Sequence, residues 1–363
     1  MKGFVVHMKT YTSVIFWMRA LACLSIVLIH AITTTFIQSD NIGKGTLIRV
    51  IQLLLMFSTP LFVFISEFLL AKNYHTSIKK GFFKDKLLFL GIPYVCINIG
   101  ISYFYFKPKT FTEFLGFLES TMFHGAAVTY FIVIILQFYI LHFLFSKYLV
   151  NRNPILMVLF SVLFATVYWG IRQFIPQPES PILAWFWDRE GWMLFLGWLS
   201  YFILGFYTGI YYEKLMANIK KYTWLILLGT LLSTAFLIFN YVSGVSTWVE
   251  SKRFDIPIYV TMIILLFFLF SAYFKYVPKF IIFISNYSFC IYLLHYFFVN
   301  QLGLLREDSA IRNIVFTFII TVTVAICLAY LINQFKWGKY IIGGIGHIKY
   351  EKVYESYKHG KVD

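Results

Sequence analysis

Charge is scarce in this chain. Asp, Glu, Lys and Arg make up 13% of its 363 residues, while 60% are hydrophobic and 21% aromatic. An ordinary soluble domain carries about 25% charged residues, so a water-exposed surface of normal size cannot be built from this composition. Acids are the scarcer sign, with 16 Asp and Glu against 31 Lys and Arg. The four cysteines, Cys23, Cys96, Cys290 and Cys327, all fall inside apolar segments. Their spacing suits neither a zinc site nor a disulfide framework, and they read as small buried hydrophobes. There is no HExxH, no CxxC and no Walker loop, so no metal is expected and an ATP-driven pump is disfavoured. A G-x-S-x-G elbow is also absent. No two halves with paired broken helices are visible, which counts against a secondary transporter.

Long apolar runs recur from end to end instead. Each needs ~20 residues to cross a bilayer, and ten are long enough: 13–36, 47–70, 87–106, 127–146, 154–174, 192–212, 222–243, 256–274, 280–301 and 312–335. The expected fold is all-α, a polytopic integral membrane protein of about ten transmembrane helices. Residues 1–335 form one transmembrane domain and 336–363 a basic tail. The first apolar run is too long for a cleaved signal peptide. Pro60 and Pro93 fall inside spans and should kink them or mark where two helices part.

The connections set the orientation. Those beginning with Lys2 and Lys9, and including Lys79, Lys80, Lys84, Lys86, Lys220, Lys221 and the tail, hold twice as many Lys and Arg as the alternate set. The alternate set also holds most of the acids. Positive residues stay inside, so both termini are expected in the cytoplasm of a multi-pass cell-membrane protein. The net charge of +15 reads as topology and contact with anionic membrane lipid. Nothing resembles a folded basic domain, so no nucleic-acid partner is expected.

A few polar residues interrupt the spans. Arg19 and His30 lie in FWMRALACLSIVLIHAITTTF of the first span. Eleven residues amount to about three turns, so both side chains occupy one helix face, roughly 16 Å apart along the axis. Arginine in hydrocarbon costs roughly 3 kcal/mol on insertion scales, and is kept where it meets a partner, a ligand or a water-filled cavity. Arg19 falls in the inner half and His30 nearer the outer face. Glu67, late in the second span, also falls in the inner half. Two readings stay open: a structural Arg19–Glu67 pair, or Arg19 holding an anionic group such as a phosphate with Glu67 tuning it. His295 in the ninth span reaches roughly the depth of His30, so the two could be a base and its orienting partner; each could equally be a histidine bonded to a neighbouring helix. Ser288 shares the face of His295. Asn98, Gln137 and His142 suggest a cavity or interhelical hydrogen bonds, worth about 1 kcal/mol each. Gly205 and Gly209 form a small-xxx-small packing face. Trp185, Trp187 and Trp192 stand beside Asp188, Arg189 and Glu190, as an interfacial aromatic belt or as a shelf for a sugar ring.

These residues resemble the membrane-bound acyltransferase 3 family. Its first mark is an arginine, ten residues and a histidine in the first span, matched by Arg19 and His30. A second is a basic, proline-ended stretch at the start of the third span, here KDKLLFLGIPYV, with Lys86 at the first arginine position and Leu90 at the second. A third is a Ser-Gly pair late in the second span, here Ser66-Glu67. The segment SFCIYLLH looks like the family's tyrosine-leucine-histidine region. Within the family, YFIVIILQFYIL and GWLSYFILGFYTGIYYE look closest to the branch of intercellular adhesion protein C and related Gram-positive membrane acyltransferases.

The resemblance implies transfer of an acyl group, acetyl or succinyl, from cytoplasmic acyl-CoA to a hydroxyl of a cell-envelope polysaccharide or lipid-linked sugar. It implies that Arg19 holds a phosphate or the acyl carbonyl, that His30 is general base or transient acyl carrier, and that Lys86 meets the anionic CoA. A fused extracellular hydrolase-like domain, found in some relatives, is not seen here. The alternatives are a polysaccharide exporter without acyl chemistry, and a membrane partner of a glycan synthase.

Overall fold

The computed structural model describes residues 13–38, 45–274, 276–302, 309–346 and 348. Among the charged residues of the connections, Lys2, Lys9, Lys44, Lys275 and Arg306 lie outside the described residues, as does most of the tail 336–363.

Among the described residues, nine helices are long and apolar enough to cross a membrane, and no strand occurs. In chain order they are α1 (Ser13–Ile37), α2 (Thr46–Tyr74), α3 (Phe82–Tyr105), α4 (Tyr130–Leu149) and α5 (Pro154–Phe174), then, past a shorter apolar helix α6 (Phe195–Ile210), α7 (Thr223–Val242), α8 (Ile256–Tyr273), α9 (Lys279–Leu302) and α10 (Ala310–Asn333). The sixth expected span is the one that departs. Its start is interrupted at Leu194, which is extended (ψ 138°), so a full-length crossing helix over 192–212 does not form. The loop before it folds back over the bundle instead.

The prolines act as their missing N–H groups require. Pro60 would have donated to the carbonyl of Met56, and a 3-10 turn over Leu55–Phe57 breaks the regular ladder there. Pro93 follows a π-helical turn, Leu87–Gly91, that opens the ladder at the position it cannot fill. Asn153 caps α5, its side chain accepting from the N–H groups of Ile155 and Leu156, with Pro154 at the first helical position.

α1 stands at the centre, packed by α2, α8, α9 and α10. α5, α7 and α10 are peripheral, with long rows of exposed Leu, Ile and Phe such as Leu156, Leu159, Phe160 and Leu163 on α5. These belong against lipid. α6 lies almost backbone to backbone on α2. A Cβ at Gly209 would come within 2.7 Å of the Phe68 carbonyl, and one at Gly205 within 3.0 Å of the Phe64 carbonyl. The small-xxx-small stripe is therefore a contact surface.

Contacts between connections sort them onto two faces. Lys72 pairs with Glu213 at 3.1 Å, and the Tyr207 hydroxyl donates to the Leu149 carbonyl; both lie on the lysine-rich face, called here the basic face. On the opposite face the loops 106–129, 175–194 and 243–255 gather, joined by His124 to Glu190 and by Lys252 to Trp192.

Candidate functional site

α1 carries Arg19 toward the basic face and His30 toward the opposite face. Both side chains are half-buried. No hydrogen bond or ion pair holds Arg19 among the described residues. Its electrostatic neighbour is Tyr139 on α4. The same tyrosine ring lies 4.8 Å from the Lys86 ammonium, which also stands 5.1 Å from the Phe82 ring. Lys86, Tyr139 and Arg19 thus form a line from the start of α3 into the bundle, two cations with a phenol between them. Tyr139 was not singled out in the sequence, where it is one ring in an aromatic-rich run.

Glu67 is not the partner of Arg19. It faces α4, where its Oε1 lies 2.7 Å from Nδ1 of His142, and both side chains are wholly buried. The reason is geometric: α4 packs on α2 in this stretch, and Gly205 of α6 presses on the Glu67 Cβ from another side. The carboxylate is held between those two helices. Glu67 Oε2 and His142 Nε2 have no hydrogen-bond partner among the described residues.

Toward the opposite face, α9 brings His295 to His30, with ring centroids 5.2 Å apart. The two imidazoles that the sequence places at one depth are neighbours. His295 Nδ1 lies 2.5 Å from the Tyr292 carbonyl. A carbonyl only accepts, so Nδ1 carries the hydrogen and Nε2 keeps the lone pair. That Nε2 is buried and without a partner among the described residues. Tyr296 packs edge-on against His30 at 6.1 Å, and the Tyr105 ring of α3 lies tilted beside Tyr296 at 5.2 Å. The Tyr292 hydroxyl donates to the Val128 carbonyl, which ties α9 to the start of α4.

The other polar residues of the spans are held within the protein. Asn98 donates to the Tyr94 carbonyl and accepts from Thr129. Gln137 bridges the Met193 carbonyl and the Phe195 N–H, anchoring the loop that precedes α6. Ser288 donates to the Ser285 carbonyl within its own helix.

The loops of the opposite face are built on two arginines. Arg253 and Asp255, both buried, make a two-pronged pair at 3.0 and 2.6 Å, and Arg253 Nη1 also donates to the carbonyls of Ser246 and Trp248. Arg172, from the end of α5, donates to the carbonyls of Phe186, Trp187 and Asp188. Lys252 sits 4.0 Å from the Trp192 ring centre and 3.1 Å from Glu250. Burial disfavours its ammonium, but Tyr130 and Glu250 outweigh that cost and hold its pKa above the ordinary lysine value. Among the described residues no group of three or more His, Cys, Asp or Glu could hold a metal.

The family model described as "Acyltransferase domain", of the acyltransferase 3 family, matches residues 15–332. The chain is 34% identical over 357 residues to the Bacillus subtilis protein named "Putative membrane-bound acyltransferase YfiQ", covering 93% of this chain and 96% of that one. It is 26% identical over 338 residues to the Staphylococcus epidermidis protein named "Probable poly-beta-1,6-N-acetyl-D-glucosamine export protein", covering 90% and 93%. The Staphylococcus aureus (strain Mu50) protein of the same name is 24% identical over 348 residues, covering 93% and 97%. No solved structure matches the chain. With a family match across nearly the whole bundle, this chain belongs to the acyltransferase 3 family and is a multi-pass membrane acyltransferase.

Proposed function

We propose that the protein transfers an acyl group from acyl-CoA, bound at the basic face, to a hydroxyl of a cell-envelope glycan at the opposite face. The basic face is the cytoplasmic one, by the distribution of Lys and Arg. The observation that carries the reading is that the central helix holds on one face both Arg19, without a protein anion among the described residues, and His30, whose ring neighbours that of His295 at 5.2 Å.

The roles follow from position. Lys86 and Arg19 attract the phosphates and the acyl carbonyl of the donor, and Tyr139 between them adds a hydroxyl. The donor's arm runs along α1 over the ~16 Å that separate Arg19 from His30. At the far end His30 takes the proton of the acceptor hydroxyl. The oxygen bonds to the acyl carbon, the carbon–sulfur bond breaks, and the CoA thiolate leaves with the electron pair and takes up a proton. His295 has its Nδ1–H committed to the Tyr292 carbonyl. Its Nε2 lone pair therefore suits one task, accepting from the imidazolium that His30 becomes. A base whose charged form is stabilised by a third group is the usual logic of activated nucleophiles.

The test uses purified protein, acyl-labelled acetyl-CoA or succinyl-CoA, and a β-1,6-linked N-acetylglucosamine oligosaccharide, the polymer named for the staphylococcal relatives. Labelled glycan and free CoA from the wild-type protein, both lost in His30→Ala, are expected. The export names of those relatives favour a second reading, in which the protein moves glycan without acyl chemistry. That reading predicts no CoA release with either donor, and glycan stranded inside cells that lack the protein.

A further inference from the structure

The loops of the opposite face form a partly open cavity of about 320 Å³, lined by Arg172, Gln177, Trp187, Trp192, Trp248 and Glu250 among others. This lies in the range typical of small-molecule sites, about 300–1,000 Å³. Its walls come from three separate stretches: the end of α5, the loop before α6, and the loop after α7.

Two of the three rings are held in place. Trp187 is pinned by its indole N–H to the Ile175 carbonyl. Trp192 is pinned by the Lys252 ammonium over its ring. Trp248 is fixed through its own backbone, because its carbonyl accepts from the buried Arg253. The residue nevertheless remains 44% exposed. A belt that only floats in headgroups needs none of these restraints.

The polar groups are equally selective. Arg172 spends Nε and Nη2 on three backbone carbonyls, which orients the guanidinium and leaves Nη1 without a hydrogen bond among the described residues. Glu250 gives one oxygen, Oε2, to Lys252. A donor and an acceptor beside indole faces match a pyranose. Its C–H groups present an apolar face to an electron-rich ring, and its hydroxyls pair with a cation's N–H on one side and a carboxylate on the other.

Two lines of residues join the cavity to the histidines. Arg189, whose guanidinium stands 5.9 Å from the Trp192 ring centre, is an electrostatic neighbour of Tyr296, which packs on His30. Lys252 stands 5.6 Å from the Tyr130 ring, and Tyr130 is a neighbour of Tyr292, one turn from His295. The cavity and the imidazole pair are thus linked through neighbouring side chains toward the same face of the bundle.

We propose that this cavity is a carbohydrate subsite that seats a pyranose unit of a glycan chain, with Trp248 and Trp187 as its stacking walls and Arg172 and Glu250 as its hydroxyl partners. Calling that glycan the acyl acceptor rests on the acyltransferase reading above; the binding itself does not.

The experiment is calorimetric titration of the full-length purified protein, without acyl donor, with pentasaccharides of glucose, galactose and N-acetylglucosamine. At least one is expected to bind. Trp248→Ala and Glu250→Gln should each weaken that binding tenfold or more, and Trp248→Phe should retain most of it. Trp248 is exposed enough for truncation to leave the thermal transition in place, and a matching melting temperature checks this. If none of the sugars binds, or if Trp248→Ala and Glu250→Gln bind as well as the wild type, the subsite is wrong. A wild-type protein that binds sugar but never releases CoA from acyl-CoA supports the subsite and overturns the transferase reading instead.

Discussion

Nδ1 of His142 and Oε1 of Glu67 lie 2.7 Å apart, and neither side chain has any exposed surface. The carboxylate that the sequence offers as a counter-charge for Arg19 is consumed by a histidine two helices along. Arg19 is thereby left without a protein anion among the described residues, and its charge is available to a ligand. In a chain with so few acids, this one pairing decides what the central helix presents to its interior.

Truncating either member of the pair leaves the other buried and unsatisfied, which costs about 1–3 kcal/mol for a neutral group and more for a charged one. Glu67→Ala and His142→Ala should each lower the melting temperature in detergent. The double variant Glu67→Leu with His142→Leu should cost less than the two single truncations together, because nothing polar is stranded. Strictly additive losses would mean that the two groups do not act as a pair.

Arg19→Gln removes the free cation and leaves a shorter, neutral polar side chain. Charged hydrogen bonds contribute about 1.5–3 kcal/mol, so kcat/KM for acyl-CoA should fall by roughly 10- to 100-fold at unchanged thermal stability. Arg19→Lys should recover part of the loss as a point charge without the planar fork. Steady-state kinetics with acyl-CoA varied reads both.

His30→Ala should lower turnover by roughly 10²- to 10⁴-fold, the usual share of a positioned general base. His295→Phe keeps an aromatic ring, somewhat larger, beside His30 but removes the Nε2 lone pair. It should reduce turnover less than His30→Ala and should move the pH dependence of kcat, because the neighbour that accepts from protonated His30 is gone. A pH–rate profile identical to wild type would remove His295 from the chemistry.

Arg253 and Asp255 hold the loop after α7 in place through a buried two-pronged contact. Removing one partner of such a pair costs about 3–5 kcal/mol. Asp255→Ala should therefore destabilise the protein more than any loop substitution on the exposed surface, and proteolysis between residues 243 and 255 should accelerate.

Gly209 meets the Phe68 carbonyl so closely that even a methyl group at this position lacks room. Gly209→Ala should separate α6 from α2 and lower expression or melting temperature. The same change at Gly244, which has open space around it but a φ of +79°, should cost only backbone strain, about 1 kcal/mol.

Membrane residence, the helical class and nine of the ten expected crossing helices were legible in the sequence because they rest on one-dimensional quantities: the length of apolar runs and the spacing of polar residues within them. The shared face of Arg19 and His30 belongs to the same class, since the 3.6-residue period places both without knowledge of any neighbour. The sixth span was less legible, because its break at Leu194 comes from a loop anchored by Gln137 of another helix. Partner choice was not legible at all. Whether Glu67 meets Arg19 or His142, whether Tyr139 stands between two cations, and whether tryptophans from two distant loops line one cavity depend on which helices touch and at what rotation. That is decided by interhelical packing, here by the close approach of glycines on α6 to α2 and by the central place of α1. Lipid excludes water from unpaired polar groups but does not say which helix supplies the partner. The chain alone therefore specifies where its rare polar groups lie along each helix, and only the tertiary structure assigns them to one another.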